Sequence, residues 1–145
     1  MENEAVVAEV VWRHVNAWPD RPAGIALDML GKDVPAMGLS PGQGGEERRF
    51  VDGGCVGTWP FVVRVRADGG DTRGRLDAAG VLVALGNWLA RAEPPALGEG
   101  RRVLSMGMAG EAALADAQED GTAVYEAAYV MVYQVGGKAA SLPSE

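Results

Sequence analysis

Residues 46–67 read EERRFVDGGCVGTWPFVVRVRA, two runs of β-forming residues, ERRFV and TWPFVVRVRA, on either side of Asp52-Gly53-Gly54. Both glycines accept positive φ, so the stretch predicts a β-hairpin. In its second arm Trp59, Phe61, Val63 and Val65 alternate with Pro60, Val62, Arg64 and Arg66. One face of that strand is therefore wholly apolar, and the other ends in two cationic stems. The apolar face needs a cover, and the helix-patterned segment at residues 71–91 is placed to supply one.

The chain has 145 residues, enough to bury a core as one domain over residues 1–135, with residues 136–145 expected to form a small, polar, flexible tail. Its hydrophobic fraction is 48% and its charged fraction 23%, an ordinary globular balance in which no apolar run reaches membrane-spanning length. The first residues, MENEAVVAEVVWRHV, are acidic rather than lysine-rich, which argues against a secretory leader and for assembly in the cytoplasm. Cys55 is the single cysteine, so no internal disulfide can form and no Cys-rich metal site is available. A net charge of -7 opposes nonspecific binding to nucleic acid, which demands a basic surface. Glu111, Asp116, Glu119, Asp120 and Glu126 follow one another without an intervening Lys or Arg, whereas Arg48, Arg49, Arg64 and Arg66 gather in the hairpin. A subunit polarised in this way could attract copies of itself.

Working outward, residues 3–18 carry Val7, Val10, Val11, His14 and Trp18 at helical spacing, with Asn3 to cap and Pro19 to stop an amphipathic helix. Ile25, Leu27 and Met29 then mark a short strand suited to a sheet edge. Residues 31–45, GKDVPAMGLSPGQGG, are dense in Gly and Pro and predict a long loop, with a short extended piece at residues 36–39. In the second helix Leu82, Leu85, Trp88 and Leu89 form one stripe. Leu76, Ala79, Gly80, Val83 and Asn87 form another, so cover on more than one side is expected. Gly80 and Gly86 weaken a helix by about 1 kcal/mol each, which close approach of a neighbour would offset. A turn-rich link at 94–100 leads to a strand at 101–108, with Leu104, Met106 and Met108 on one side. An acidic, alanine-rich segment follows at 109–120. The last strand, 122–135, sets Tyr125, Tyr129, Met131 and Tyr133 on one face and Val124, Ala128, Val130 and Val132 on the other. The fold class that results is α+β, a mainly antiparallel sheet of four to five strands with two helices packed on one face.

Catalysis needs a nucleophile, a base and oxyanion donors that converge, and this chain has one Cys, one His and neither GxSxG nor HExxH. The glycines at 42–45 lack the flanking strand and helix of a phosphate cradle. The residues thus point to a protein that is not an enzyme and carries no metal or cofactor.

Several segments together, GIALDMLG at 24–31, RRFVDGG at 48–54, Trp59-Pro60-Phe61 with Arg64-Val65-Arg66, Trp88-Leu89, and Glu119-Asp120 through Tyr125 to Tyr133, carry a family likeness. The set resembles the small tail-terminator or head-tail joining proteins of long-tailed bacteriophages, often labelled minor capsid proteins. That resemblance implies a virion protein of the tail or neck that assembles as a hexameric ring on the finished tail tube and presents a surface to the head connector. Its partners would be itself, the tail-tube protein and the head-tail connector. DNA would pass through without specific binding, and no membrane would be involved. The residues expected at subunit or partner interfaces are Arg48, Arg49, Asp52, Arg64, Arg66, Glu119 and Asp120. The alternative is another neck or tail component, or a monomeric protein-binding module that grips one partner with the 31–45 loop.

Overall fold

The computed structural model describes residues 2–51, 53–68, 72–98 and 100–136. Asp52 and Asp71, and residues 137–145 of the expected flexible tail, lie outside the described residues. The elements run α1 (Glu2–Val15), β1 (Ile25–Leu27), β2 (Ala36–Pro41), β3 (Glu47–Arg49), β4 (Cys55–Asp68), α2 (Thr72–Arg91), β5 (Ala96–Gly98), β6 (Arg101–Met108), β7 (Ala113–Ala117) and β8 (Thr122–Val135).

Two strands of 14 residues, β4 and β8, pair antiparallel along their whole length from Cys55↔Val135 to Asp68↔Thr122. At roughly 3.3 Å per residue this central ladder is about 40 Å long. Each long strand is flanked on its outer side by two short strands in tandem. β2 and β3 share one edge of β4, and β6 and β7 share one edge of β8. With β1 beyond β2 and β5 beyond β6, the sheet has eight strands among the described residues. β1 pairs parallel with β2, so the sheet is mixed. The α+β class holds, and the expected sheet of four to five antiparallel strands is corrected to a larger, mixed one.

The register explains the core. Odd-numbered residues of β4 meet odd-numbered residues of β8, so Trp59, Phe61, Val63 and Val65 share one face with Tyr125, Ala127, Tyr129 and Met131, all buried. Both helices lie on this face. Ala78, Leu82, Leu85 and Leu89 of α2 and Val7, Val11 and Val15 of α1 join the same core cluster. Tyr129, fully buried, donates its hydroxyl to the carbonyl of Leu82 at 2.7 Å, which satisfies the one polar atom that its ring brings into the core. The sheet curls into a half-barrel until its first and last strands, β1 and β5, both lie against α1.

Pro60 sits inside this central ladder, where a missing N–H would ordinarily break pairing. It stands where the neighbouring edge passes from β2 to β3, and its carbonyl accepts from Gly42 N at 2.8 Å. No ladder donor is required of it there.

Several expectations are corrected or extended. The short extended piece expected at residues 36–39 is a full strand, 36–41, whose first four residues are buried between β1 and β4. Ala36, Met37 and Leu39 supply enough apolar surface to outweigh the glycine and proline around them. The link at 94–100 contains β5, and the acidic 109–120 segment contains β7. In β6 a bulge between Val103 and Ser105 turns Leu104 outward, so Val103 rather than Leu104 joins Met106 in the core. Finally, α2 is covered on one side only. Its Leu76 and Val83 stay exposed, and Gly80 faces open space, while Gly86 does admit the Met108 side chain as close packing requires.

Candidate functional site

Among the described residues the even-numbered side of β4 and β8 carries no helix, and its charged residues are arranged by the same register that built the core. Arg64 stands opposite Glu126, with Nε donating to Oε1 at 3.0 Å and Nη1 to Ser40 Oγ at 3.3 Å. Arg66 donates from Nε to the Gly31 carbonyl at 2.8 Å and from Nη1 to Thr122 Oγ1 at 3.4 Å. Both guanidiniums line a groove of about 640 Å³ that is walled by Leu30, Leu114 and Asp116. These arginines are thus engaged within their own chain. Of the two, Arg64 is paired with a carboxylate, that of Glu126, and Arg66 is held by a carbonyl and a hydroxyl.

Arg48 and Arg49 lie elsewhere. They pair with Val56 and Cys55 at the opposite end of β4. Eight residues separate Val56 from Arg64, which puts about 26 Å between the two arginine pairs. The four arginines that are neighbours in the sequence therefore form no single patch. Arg101 and Arg102, which open β6 opposite Val135 and Gln134, join Arg48 and Arg49 at their end instead. The molecule is polarised along the β4–β8 axis, but by a different set of residues from the one expected. One end holds Arg48, Arg49, Arg101 and Arg102 with Glu46 and Glu47. The other holds Asp68, Glu111, Asp116, Glu119, Asp120 and Glu126 with Arg64 and Arg66.

The two ends share a turn design. At one, Phe50 N donates to Gly54 O at 2.7 Å and Gly53 N to Phe50 O at 3.1 Å. At the other, Gln118 N donates to Thr122 O at 2.8 Å and Gly121 N to Gln118 O at 3.2 Å. Each loop has three residues, with its glycine at φ near 90°. In the second turn Asp120 Oδ1 accepts from Thr122 N at 3.0 Å and from Thr122 Oγ1 at 2.7 Å, and these bonds hold its carboxyl below the usual range. Asp120, expected at an interface, is a turn cap. Glu119 beside it is exposed. The dipeptide Asp120-Gly121 was a hairpin signal as good as Asp52-Gly53, and it was masked by the alanine-rich run before it.

Near Arg49 the helix face is left uncovered, and a hollow of about 590 Å³ opens between β3, the glycines at 42–45 and the ends of β4 and β8. Tyr133 crosses it and donates its hydroxyl to Glu47 Oε2 at 3.0 Å. Burial, and then the Glu47 carboxylate, push the Tyr133 hydroxyl up to about 12. Gly57 lies under the ring, where an added Cβ would come within 2.5 Å of Cζ and the hydroxyl oxygen. Sequence reading singled out neither Tyr133 nor Glu47 as site residues, because their meeting spans 86 positions. Among the described residues no three His, Cys, Asp or Glu side chains gather as metal ligands would. No helix among them is long and apolar enough to cross a membrane.

No protein-family profile matches this chain, and no curated protein does either. Among solved structures it is similar in fold to a chain described as "Virion of native gene transfer agent (GTA) particle", with 14% identity, a TM-score of 0.52 and 90% of each chain covered.

Proposed function

We propose that this chain is a structural subunit of a phage-like virion, placed in the tail or neck, where it caps the completed tail tube as a hexameric ring and joins it to the head connector. The observation that carries this reading is the fold shared, over nine-tenths of both chains, with a component of a gene transfer agent virion. The surface of the sheet supports it. Pro60, Val62, Val130 and Val132 form a half-buried apolar strip on the helix-free side, the kind of surface a neighbouring subunit covers. An acidic chain also suits a passage for DNA, since carboxylates repel phosphates rather than hold them. On this reading the chain performs no catalysis and binds no cofactor. The alternative of a monomeric module needs residues 31–45 as a gripping loop, and six of them form β2 instead.

Mass spectrometry of particles purified from cells that express this chain tests the reading. The expected result is a few copies per particle, cross-linked to both a tail-tube protein and a head connector. Absence from the particles, or cross-links only to the distal tip of the tail, overturns it.

A further inference from the structure

Among the described residues the sheet ends laterally in β1, β3, β5 and β7, while the outer side of β6 beyond β5 is bulged and lies by α2, and these edges are treated differently. At β1, Asn16 Nδ2 donates to Ile25 O at 2.9 Å, Trp12 Nε1 donates to the same carbonyl at 2.6 Å, and Ile25 N donates to Asn16 Oδ1 at 2.9 Å. Trp12 of α1 and Asn16 just past its end thus occupy the groups that a further strand would need. β5 is three residues long, is bulged and lies against α1. Covered and shortened edges of this kind resist strand addition. Among the described residues β3 and β7 have no such cover. Each pairs on one side only, β3 with β4 and β7 with β8, and every residue of both is exposed. By the alternation of an antiparallel ladder, the backbone groups of Glu47 and Arg49 in β3 and of Ala117 in β7 turn away from their partner strands.

These two open edges sit at opposite ends of the central ladder and differ in charge. Arg48 has no ion pair among the described residues, and Arg49 reaches Glu47 only at 3.9 Å. On the β7 side Glu111 and Glu119 have no ion pair among the described residues, and Asp116 accepts only from the Gln118 amide.

We propose that the β7 edge of one copy of this chain pairs with the β3 edge of a second copy, head to tail, with Arg48 and Arg49 facing Asp116 and Glu119. The inference rests on the assembly reading above and names its contact surfaces. Charge opposes the symmetric pairing of two β7 edges, which would set carboxylates against carboxylates. Two β3 edges could match Glu47 with Arg48, but that contact would leave the acidic β7 edge of each copy without a cationic partner, whereas the β3–β7 contact supplies one. A contact between two different edges leaves one of each kind open on every dimer, so it propagates until it closes into a ring or continues as a filament.

Sedimentation of three proteins tests this at low salt, where charge steering is strongest. They are the wild type, R48E/R49E and D116K/E119K, which alter exposed residues only. The wild type is expected to associate and to lose affinity as salt rises. Each variant alone opposes like charges and should self-associate roughly tenfold or more weakly. An equimolar mixture of the two variants restores both kinds of contact and should regain wild-type association. A monomeric wild type at the highest attainable concentration, variants that sediment as the wild type does, or a mixture that stays dissociated each overturns the proposal. Should a variant fail to fold, amide exchange on the wild type decides. Protection of Glu47, Arg49 and Ala117 that rises with concentration supports the pairing, and its absence refutes it. Failure here leaves the particle experiment untouched, while absence from particles would leave a positive self-association result standing.

Discussion

His14 closes the α1 helix with its ring against Trp88, centroids 5.0 Å apart, and its Nε2 is buried without a hydrogen-bond partner. A helix C-terminus favours a cation, yet burial dominates and lowers the pKa from the ordinary 6.5. Because the folded protein binds the proton less readily than the unfolded chain, the contribution to stability is full above 6.5 and is lost as pH falls through the folded value. Denaturant unfolding should therefore show lower stability at pH 5 than at pH 7.5, and His14→Phe should flatten that slope. An unchanged slope in the variant would assign it to other groups. The Arg64–Glu126 pair calls for a different measurement. Both side chains are about two-fifths exposed, so their coupling in a double-mutant cycle should be small, about 0.5 kcal/mol. Reversal at Arg64 alone would set two carboxylates opposite each other, so its effect on folding must be subtracted before any effect on assembly is read.

Among the elements, β2 shows how packing overrides composition. The backbone at Met29 and Leu30 crosses directly over Gly38, and an added Cβ would run into the Met29 carbonyl oxygen. Gly38 is itself buried between β1 and β4, so the Met29–Leu30 backbone would have to give way, and Gly38→Ala should destabilise by roughly 1–3 kcal/mol. Chemical denaturation would measure this, and a loss below 1 kcal/mol would mean that the crossing is looser than described. The β7–β8 turn offers a milder case. Gly121 holds φ at 90°, so Gly121→Ala should weaken the hairpin by about 1 kcal/mol without disturbing the core. The hairpin at residues 46–67 was legible because its alternation runs through a whole arm. β5 and β7 were not, since three or five residues with small side chains have too little periodicity to announce a strand. They exist because β6 and β8 provide ladders to complete.

For the whole molecule, the net charge of -7 bears on what passes it. The protein should not retard duplex DNA even at low ionic strength, and retention would oppose a passage that lets DNA slip by. The sequence shows acidic and basic clusters but not where they stand, and Arg48 and Arg64, close in the same hairpin, end up about 26 Å apart along a strand. The amino-acid sequence by itself determined the two helices, the two long strands and the buried face of β4, since these depend on periodicities of 3.6 and 2 within single segments. Only the tertiary structure decided the rest: that β2 and β7 are strands, that Arg64 and Arg66 are held by their own chain, that Tyr133 meets Glu47, and that β3 and β7 keep open edges. Each of these depends on which distant residues a ladder brings side by side, and that register is set by the burial of the whole apolar face at once.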